Sequence, residues 1–297
     1  MCIKESEQNP TIEKESTSYN CQEIAKIKKC IGLIVRCKNE PYVSEFVRYY
    51  IEQGIDDIYI IDDNSDSKIY KDVIHNVKVT IICDEITDWS KQFESCNNLY
   101  RKIKHMYEWI IVVDMDEYIT TKKYVNNTIK EELETTFKNS MCIKIPWVMM
   151  SCNSIKNNPD YLLKTNIYRW NHDIRHINNT SNENKFRCRY DNIEVKCIFK
   201  PKYFENIFMH HPINPNCKDT IIVESIKNTK QQLDPFYKNL REIDIKEGYL
   251  LCYHYRIVSI KNCLNKIKNN LFYKKYKLKD LLSNDYPEII DETLKYK

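Results

Sequence analysis

Three carboxylates, Asp114, Asp116 and Glu117, follow directly on the apolar run Trp109-Ile110-Ile111-Val112-Val113. Buried strands favour Ile and Val and exclude unpaired charge, so Asp114 to Glu117 are expected where such a strand leaves the core. Two carboxylates one residue apart at that point can hold a hard divalent cation, and the cation in turn a diphosphate. The same spacing also occurs in ordinary acidic turns, so the weight falls on what surrounds it.

Upstream, Ile31–Val35 reads as a buried strand followed by Arg36-Cys37-Lys38-Asn39-Glu40-Pro41, where the proline marks a helix start. Val43, Phe46, Val47, Tyr50 and Ile51 recur at helical spacing, and Gly54 supplies the stop. A second strand, Ile58–Ile61, ends in Asp62-Asp63-Asn64-Ser65-Asp66, and Val77–Cys83 gives a third. Phe93, Cys96, Leu99, Tyr100, Ile103 and Tyr107 then mark a longer helix leading into the strand at 109–113. Strands alternating with helices predict an α/β fold, a mostly parallel central sheet flanked by crossover helices. Ligands of such sheets bind beyond the carboxyl ends of the strands. Three strands end there in polar clusters, which therefore converge on one crevice. From Met141 to about Cys217 the pattern loosens into shorter strands and loops, and the segment from Asp234 to the end reads as helical pieces around a strand at Tyr249–Cys252. Lys261–Lys279 reads as a basic helix with a solvated face.

Composition narrows the chemistry. With 3 glycines in 297 residues there is no glycine-rich phosphate loop, and neither the dinucleotide-binding nor the P-loop pattern occurs. The net charge of +4 mixes 46 basic with 42 acidic residues, which does not point to nucleic acid. The 13 cysteines are scattered with no C-x-x-C pair, so they read as reduced, packed thiols. No signal-peptide core opens the chain and no run reaches the roughly 18 apolar residues of a membrane span. The expectation is a cytoplasmic protein without integral membrane association. Lys, Asn and Ile enrichment with few glycines suggests an AT-rich genome, which would fit a large DNA virus and hence the host cytoplasm.

The order Arg-x-Lys-Asn-Glu, Asp-Asp-x-Ser-x-Asp, Asp-Trp-x-x-Gln and Asp-x-Asp-Glu-Tyr resembles GT-A glycosyltransferases, specifically the family-2-like group and glycosyltransferase family 92, over roughly residues 30–260. The resemblance implies a donor site for a nucleoside-diphosphate sugar, with a uridine carrier favoured. It places Arg36, Asn39 and Glu40 near base and phosphates, and Asp62 and Asp63 near base and ribose. Trp89, Gln92 and Asn97 match the helix before the metal motif. Asp114 and Asp116 carry over as the metal–diphosphate pair, with Met115 between them beside the donor, and Glu117 as an orienting carboxylate. Trp147 corresponds to an acceptor-stacking aromatic and Arg169 to an Arg–aromatic pair. Ser151-Cys152-Asn153 stands where small glycines are expected. Lys196 falls in the family's Lys-x-Ile-x-x-Pro stretch. His210, His211 or His254 completes the metal shell, and an imidazole ligand favours Mn²⁺ over Mg²⁺.

The implied reaction is inverting transfer of a sugar to a hydroxyl of a glycan, glycoprotein or glycolipid. The metal acts on the leaving diphosphate, Lys196 or Arg36 adds positive charge, and Asp191, Glu194 or Glu117 serves as base. The expected organisation is a polar, disordered lead-in at 1–28, a catalytic domain at 29–232, and a helical extension at 233–297 packed on the same domain. A homo-oligomer is left open. Two rival readings are a non-catalytic carbohydrate- or partner-binding protein on the same scaffold and a sugar nucleotidyltransferase. The first would be marked by loss of Asp114 or Asp116, the second by a basic glycine-rich loop after the first strand, and neither mark is present.

Overall fold

The computed structural model describes residues 29–176 and 192–297. The lead-in expected at 1–28, the candidate base Asp191 and the side chain of Trp89 lie outside the described residues.

The first half of the chain lays down β1 (Lys29–Cys37), α1 (Val43–Glu52), β2 (Asp57–Asp62), β3 (Val79–Cys83), α2 (Trp89–Ile103) and β4 (Tyr107–Asp114). β3, β2, β1 and β4 are parallel neighbours in that order. Both faces of this half are covered. Ile31, Leu33 and Val35 share a cluster with Phe46, Tyr49 and Tyr50 of α1, while Ile34 and Ile61 join Leu99, Tyr100 and Ile103 of α2. Burial on both sides explains why β1 reads as a continuous apolar run. Each fully buried Leu, Ile or Phe there stabilises by roughly 1.5–3 kcal/mol. Asp88 caps α2 by accepting from the N–H groups of Ser90 and Lys91. Gly54, with φ of +88°, takes the left-handed position just past α1 that other residues rarely adopt.

The second half adds β5 (Glu117–Thr121), β6 (Cys142–Ser151), β7 (Tyr168–Arg169), β8 (Asn192–Phe199), the hairpin β9 (Phe204–Ile207) and β10 (Pro212–Pro215), then β11 (Ile222–Glu224), β12 (Phe236–Lys238), β13 (Leu250–His254) and β14 (Ile289–Ile290). The sheet is mixed, which corrects the expectation of a mostly parallel one. β8 runs antiparallel to both β4 and β6, and β7 and β12 are antiparallel to β6 and β8 respectively. The parallel half is the half whose strands are separated by α1 and α2; parallel pairing needs such crossovers.

A second difference concerns 141–217, where short strands were expected. β6 is ten residues long and buried throughout. Lys144 and Pro146 disguise it. The Lys144 ammonium emerges far enough to donate to the Gln232 carbonyl (3.1 Å) and pair with Asp234 (3.1 Å). Pro146 falls between the segments of β6 paired to β11 and to β13, so on that edge its missing N–H leaves no ladder bond unmade. The basic stretch 261–279 is not one helix either: a helix at Ile260–Asn269 gives way to a 3₁₀ turn at Tyr273–Lys275 and a short helix at Leu278–Leu282.

Asparagine does much of the work of the scarce glycines. Asn39, Asn64, Asn153, Asn214, Asn228 and Asn239 all adopt positive φ. Asn153 and Ser154, at +48° and +60°, thus provide the turn for which the resemblance led us to expect glycine. Among the described residues no helix is long and apolar enough to cross a membrane, and the cysteines are free.

Candidate active site

The acidic turn is positioned from below by aromatic residues and from the side by the last long strand. Tyr49 and Tyr50 of α1 donate to the carbonyls of Ile119 (2.7 Å) and Glu117 (2.9 Å), and Tyr118 packs edge-on against Phe46, Tyr49 and Tyr255. β13 pairs antiparallel with β5 and parallel with β6, bringing His254 opposite Glu117 and alongside Met149. The Tyr255 N–H donates to the Asp116 carbonyl (2.8 Å). Elements more than a hundred residues apart in sequence therefore fix the turn.

At this turn opens a cavity of about 600 Å³, at the carboxyl ends of β1, β2 and β4. Arg36, Glu40, Asp63, Gln92, Asp114, Met115, Asp116, Trp147, Glu194, His210 and His254 all line it. The charges are interlocked. Asp114 pairs with the Arg36 guanidinium through one oxygen and with Lys196 (2.9 Å) through the other. Lys196 also reaches Glu117 (3.1 Å), whose Oε2 accepts the Asp114 N–H (2.7 Å). Asp116 pairs with Lys266 (2.6 Å) and faces His254 Nε2 at 3.6 Å.

Burial works against the charge on Asp114, but Arg36 and Lys196 more than offset it and hold the carboxyl well below the usual range. Asp116 is likewise buried and held low by Lys266 and His254. Glu117 goes the other way. Burial pushes it up to about 8, against the pull of Lys196, and its Oε1 has no hydrogen-bond partner. Glu40 is raised to about 7, first by burial. His210 is lowered to about 3 by burial and by Lys196, and its Nδ1 sits 3.1 Å from the Val195 carbonyl. With Nδ1 donating there, a neutral ring keeps Nε2 free to accept or ligate. The Trp147 ring packs on His254 (4.2 Å between centroids) and His210 (5.3 Å).

Other expected site residues sit elsewhere. Asp62 accepts from the Tyr70 hydroxyl (2.6 Å) and the Ser65 N–H, and does not line the cavity. Asn39 braces the same loop, donating its N–H to Ser65 Oγ and accepting from the Asp66 N–H. Glu117 is fully buried beneath the cavity rather than facing it. Lys196 lines a small adjoining recess and meets the cavity through Asp114. His211 is engaged through Nδ1 with the Pro212 carbonyl (2.7 Å) and is not at the cavity wall. Arg169 is the clearest departure. Its guanidinium is spent on Asp291, Glu242 and the Trp170 carbonyl, away from the cavity.

Sequence reasoning missed Arg256, Lys266 and the wall from Asn270 to Tyr273, all of which line the cavity. Helical spacing sets Lys266 on the face of Cys263 and Ile267, away from Lys261 and Lys268, but does not mark it as a site residue. Only the contact with Asp116 distinguishes it.

Among the described residues no three His, Cys, Asp or Glu side chains form a metal cage. Asp116 and His254 are nonetheless a compatible pair of donors. Their 3.6 Å separation is too long for a hydrogen bond and leaves both within reach of one cation.

Comparison with known proteins gives structural likenesses and a family. The 4-diphosphocytidyl-2C-methyl-D-erythritol synthase of Anaerococcus prevotii is similar at 12% identity and a TM-score of 0.34, over 73% of this chain and 95% of that one. The sequence matches none of the curated proteins. The model of glycosyltransferase family 92 matches residues 30–294, nearly the whole described length and all of the cavity's lining. The chain therefore belongs to glycosyltransferase family 92, and it is a glycosyltransferase.

Proposed function

We propose that the cavity, arranged as in GT-A enzymes, binds a uridine-diphosphate sugar with a divalent metal, Mn²⁺ in preference to Mg²⁺. The sugar is transferred with inversion to a hydroxyl of a glycan, free or on a protein or lipid. The observation that carries this reading is the meeting of Asp114 and Asp116 with Arg36 and Lys266 on one cavity wall, with Lys196 locked behind Asp114. A site for a diphosphate needs positive charge near the leaving group, held in place before it arrives.

Asp116 and His254 would hold the metal, which when bound acts as Lewis acid on the leaving diphosphate. Arg36, paired to Asp114, and Lys196 behind it place fixed positive charge where the phosphates gather. Asp63, accepting from the Ile86 N–H and paired to Lys38 (2.7 Å), is suited to the nucleoside end. Trp147, which lines the cavity, borders the acceptor sugar. Glu194 is the candidate base among the described residues that line the cavity, and it takes the acceptor proton as the hydroxyl attacks the anomeric carbon.

The test is release of the nucleotide (UDP, GDP or CMP) from UDP-, GDP- and CMP-linked sugars offered with mixed glycan acceptors, read by mass spectrometry of both products. Acceptor-dependent release of UDP is expected, falling about 10²–10⁴-fold in Glu194→Gln. Release from none of the donors overturns the proposal.

A further inference from the structure

Lys266 is an unusual neighbour for a carboxylate that is to hold a metal. It lies on the helix Ile260–Asn269, 7% exposed, with its ammonium 2.6 Å from Asp116 Oδ2 and 3.3 Å from the Arg256 carbonyl. An ammonium has three N–H donors. Two are taken by these contacts, and Lys266 itself lines the cavity. Asp116 is correspondingly committed: one oxygen is on Lys266 and the other faces His254.

We propose that Lys266 is a donor-positioning residue, an internal counter-ion that holds the cation place on Asp116 and passes to the donor's diphosphate when the metal takes that carboxylate. The inference rests on the donor-site reading above and adds an order to it. A dication and an ammonium cannot share one buried carboxylate without a further anion, because their mutual repulsion is poorly screened there. A buried ammonium equally cannot be abandoned without a partner. The diphosphate removes both difficulties at once, since it brings ligands for the metal and an anion for Lys266. Metal and nucleotide then bind together, and neither binds well alone. The outward stripe of the same helix, with Lys261, Leu264 and Lys268 exposed, leaves Lys266 on the inner face, which Cys263 and Ile267 anchor in a small apolar cluster.

The experiment measures Mn²⁺ binding directly, by loss of the free-ion electron paramagnetic resonance signal, on the full chain with and without UDP. Wild type is expected to bind Mn²⁺ at least about tenfold more tightly with UDP than without it. Lys266→Met should tighten nucleotide-free Mn²⁺ binding about tenfold and weaken UDP binding, and Lys266→Arg should restore the wild-type pattern. Equal Mn²⁺ affinity with and without UDP in wild type, or unchanged nucleotide-free affinity in Lys266→Met while UDP still binds, overturns the role of Lys266 alone. Failure of wild type to bind UDP even with Mn²⁺ overturns the donor-site reading and this one with it.

Discussion

Among the described residues, two buried ion networks use nearly the same parts. Around the acidic turn, Asp114 and Asp116 meet Arg36, Lys196 and Lys266; around Arg169, a guanidinium meets Asp291 and Glu242. The Arg169 network is closed. Its donors reach Asp291 (2.8 Å), Glu242 (2.8 Å) and the Trp170 carbonyl, while Asp291 also accepts from Tyr253 (2.9 Å) and Thr293 and pairs with Lys122. The network at the turn is open: it borders a cavity, and Glu117 Oε1, His254 Nδ1, Trp147 Nε1 and Gln92 Nε2 are buried without partners among the described residues. Satisfied buried charge locks a fold together, whereas buried charge with groups in reserve beside a cavity is arranged to receive something.

Breaking the open network should cost activity most. Asp116→Ala is expected to lower the transfer rate about 10³-fold, measured as initial rate at saturating donor. Breaking the closed one should cost stability instead. Arg169→Met leaves Asp291 and Glu242 facing each other in the interior and should destabilise by about 3 kcal/mol in denaturant titration. Turnover per folded molecule should stay within about twofold, and a larger drop would return Arg169 to the acceptor site.

The pH dependence of stability should divide the two regions further. His172, beside Arg169, accepts the Met149 N–H (3.3 Å), and burial followed by Arg169 lowers it to about 3. Its pKa is depressed on folding, so the unfolded chain takes the proton first. The stability it contributes is present above about pH 6.5 and is lost as pH falls toward 3. His172→Gln should flatten that acid limb of a melting-temperature profile. Glu117 acts in the opposite direction. Its carboxyl is raised to about 8, so its contribution is present below the ordinary carboxylate range near pH 4.5 and fades as pH rises through 8. Glu117→Gln should remove that decline between about pH 4.5 and 8, and an unchanged slope would mean that the carboxyl is ionised in the folded protein, paired with Lys196.

The parallel half of the fold was legible because each of its elements carries its own signal: apolar runs for strands, helical spacing for α1 and α2, Gly54 at a helix end. Asp114 and Asp116 were legible for the same reason, since a charged pair closing an apolar strand is visible locally. What escaped depends on partners distant in sequence. β6 hides behind Lys144 and Pro146 because the ammonium finds Asp234 and the proline falls between paired segments. Asp62 and Asn39 look like ligands in sequence, yet Tyr70 and the Ser65–Asp66 turn claim them. Lys266 looks like a surface lysine until Asp116 is found beside it. Of the three late histidines, β13 pairing brings His254 to the turn, whereas no local feature ranks it above His211.

The central claim is that the open network receives a nucleoside diphosphate together with a metal. Calorimetric titration of the full chain with UDP, GDP and CMP, with and without Mn²⁺ and repeated on Asp116→Ala, tests it most directly. The account predicts metal-dependent binding of UDP that disappears in the variant. Failure of UDP to bind with Mn²⁺, or UDP binding that Asp116→Ala leaves intact, would contradict it.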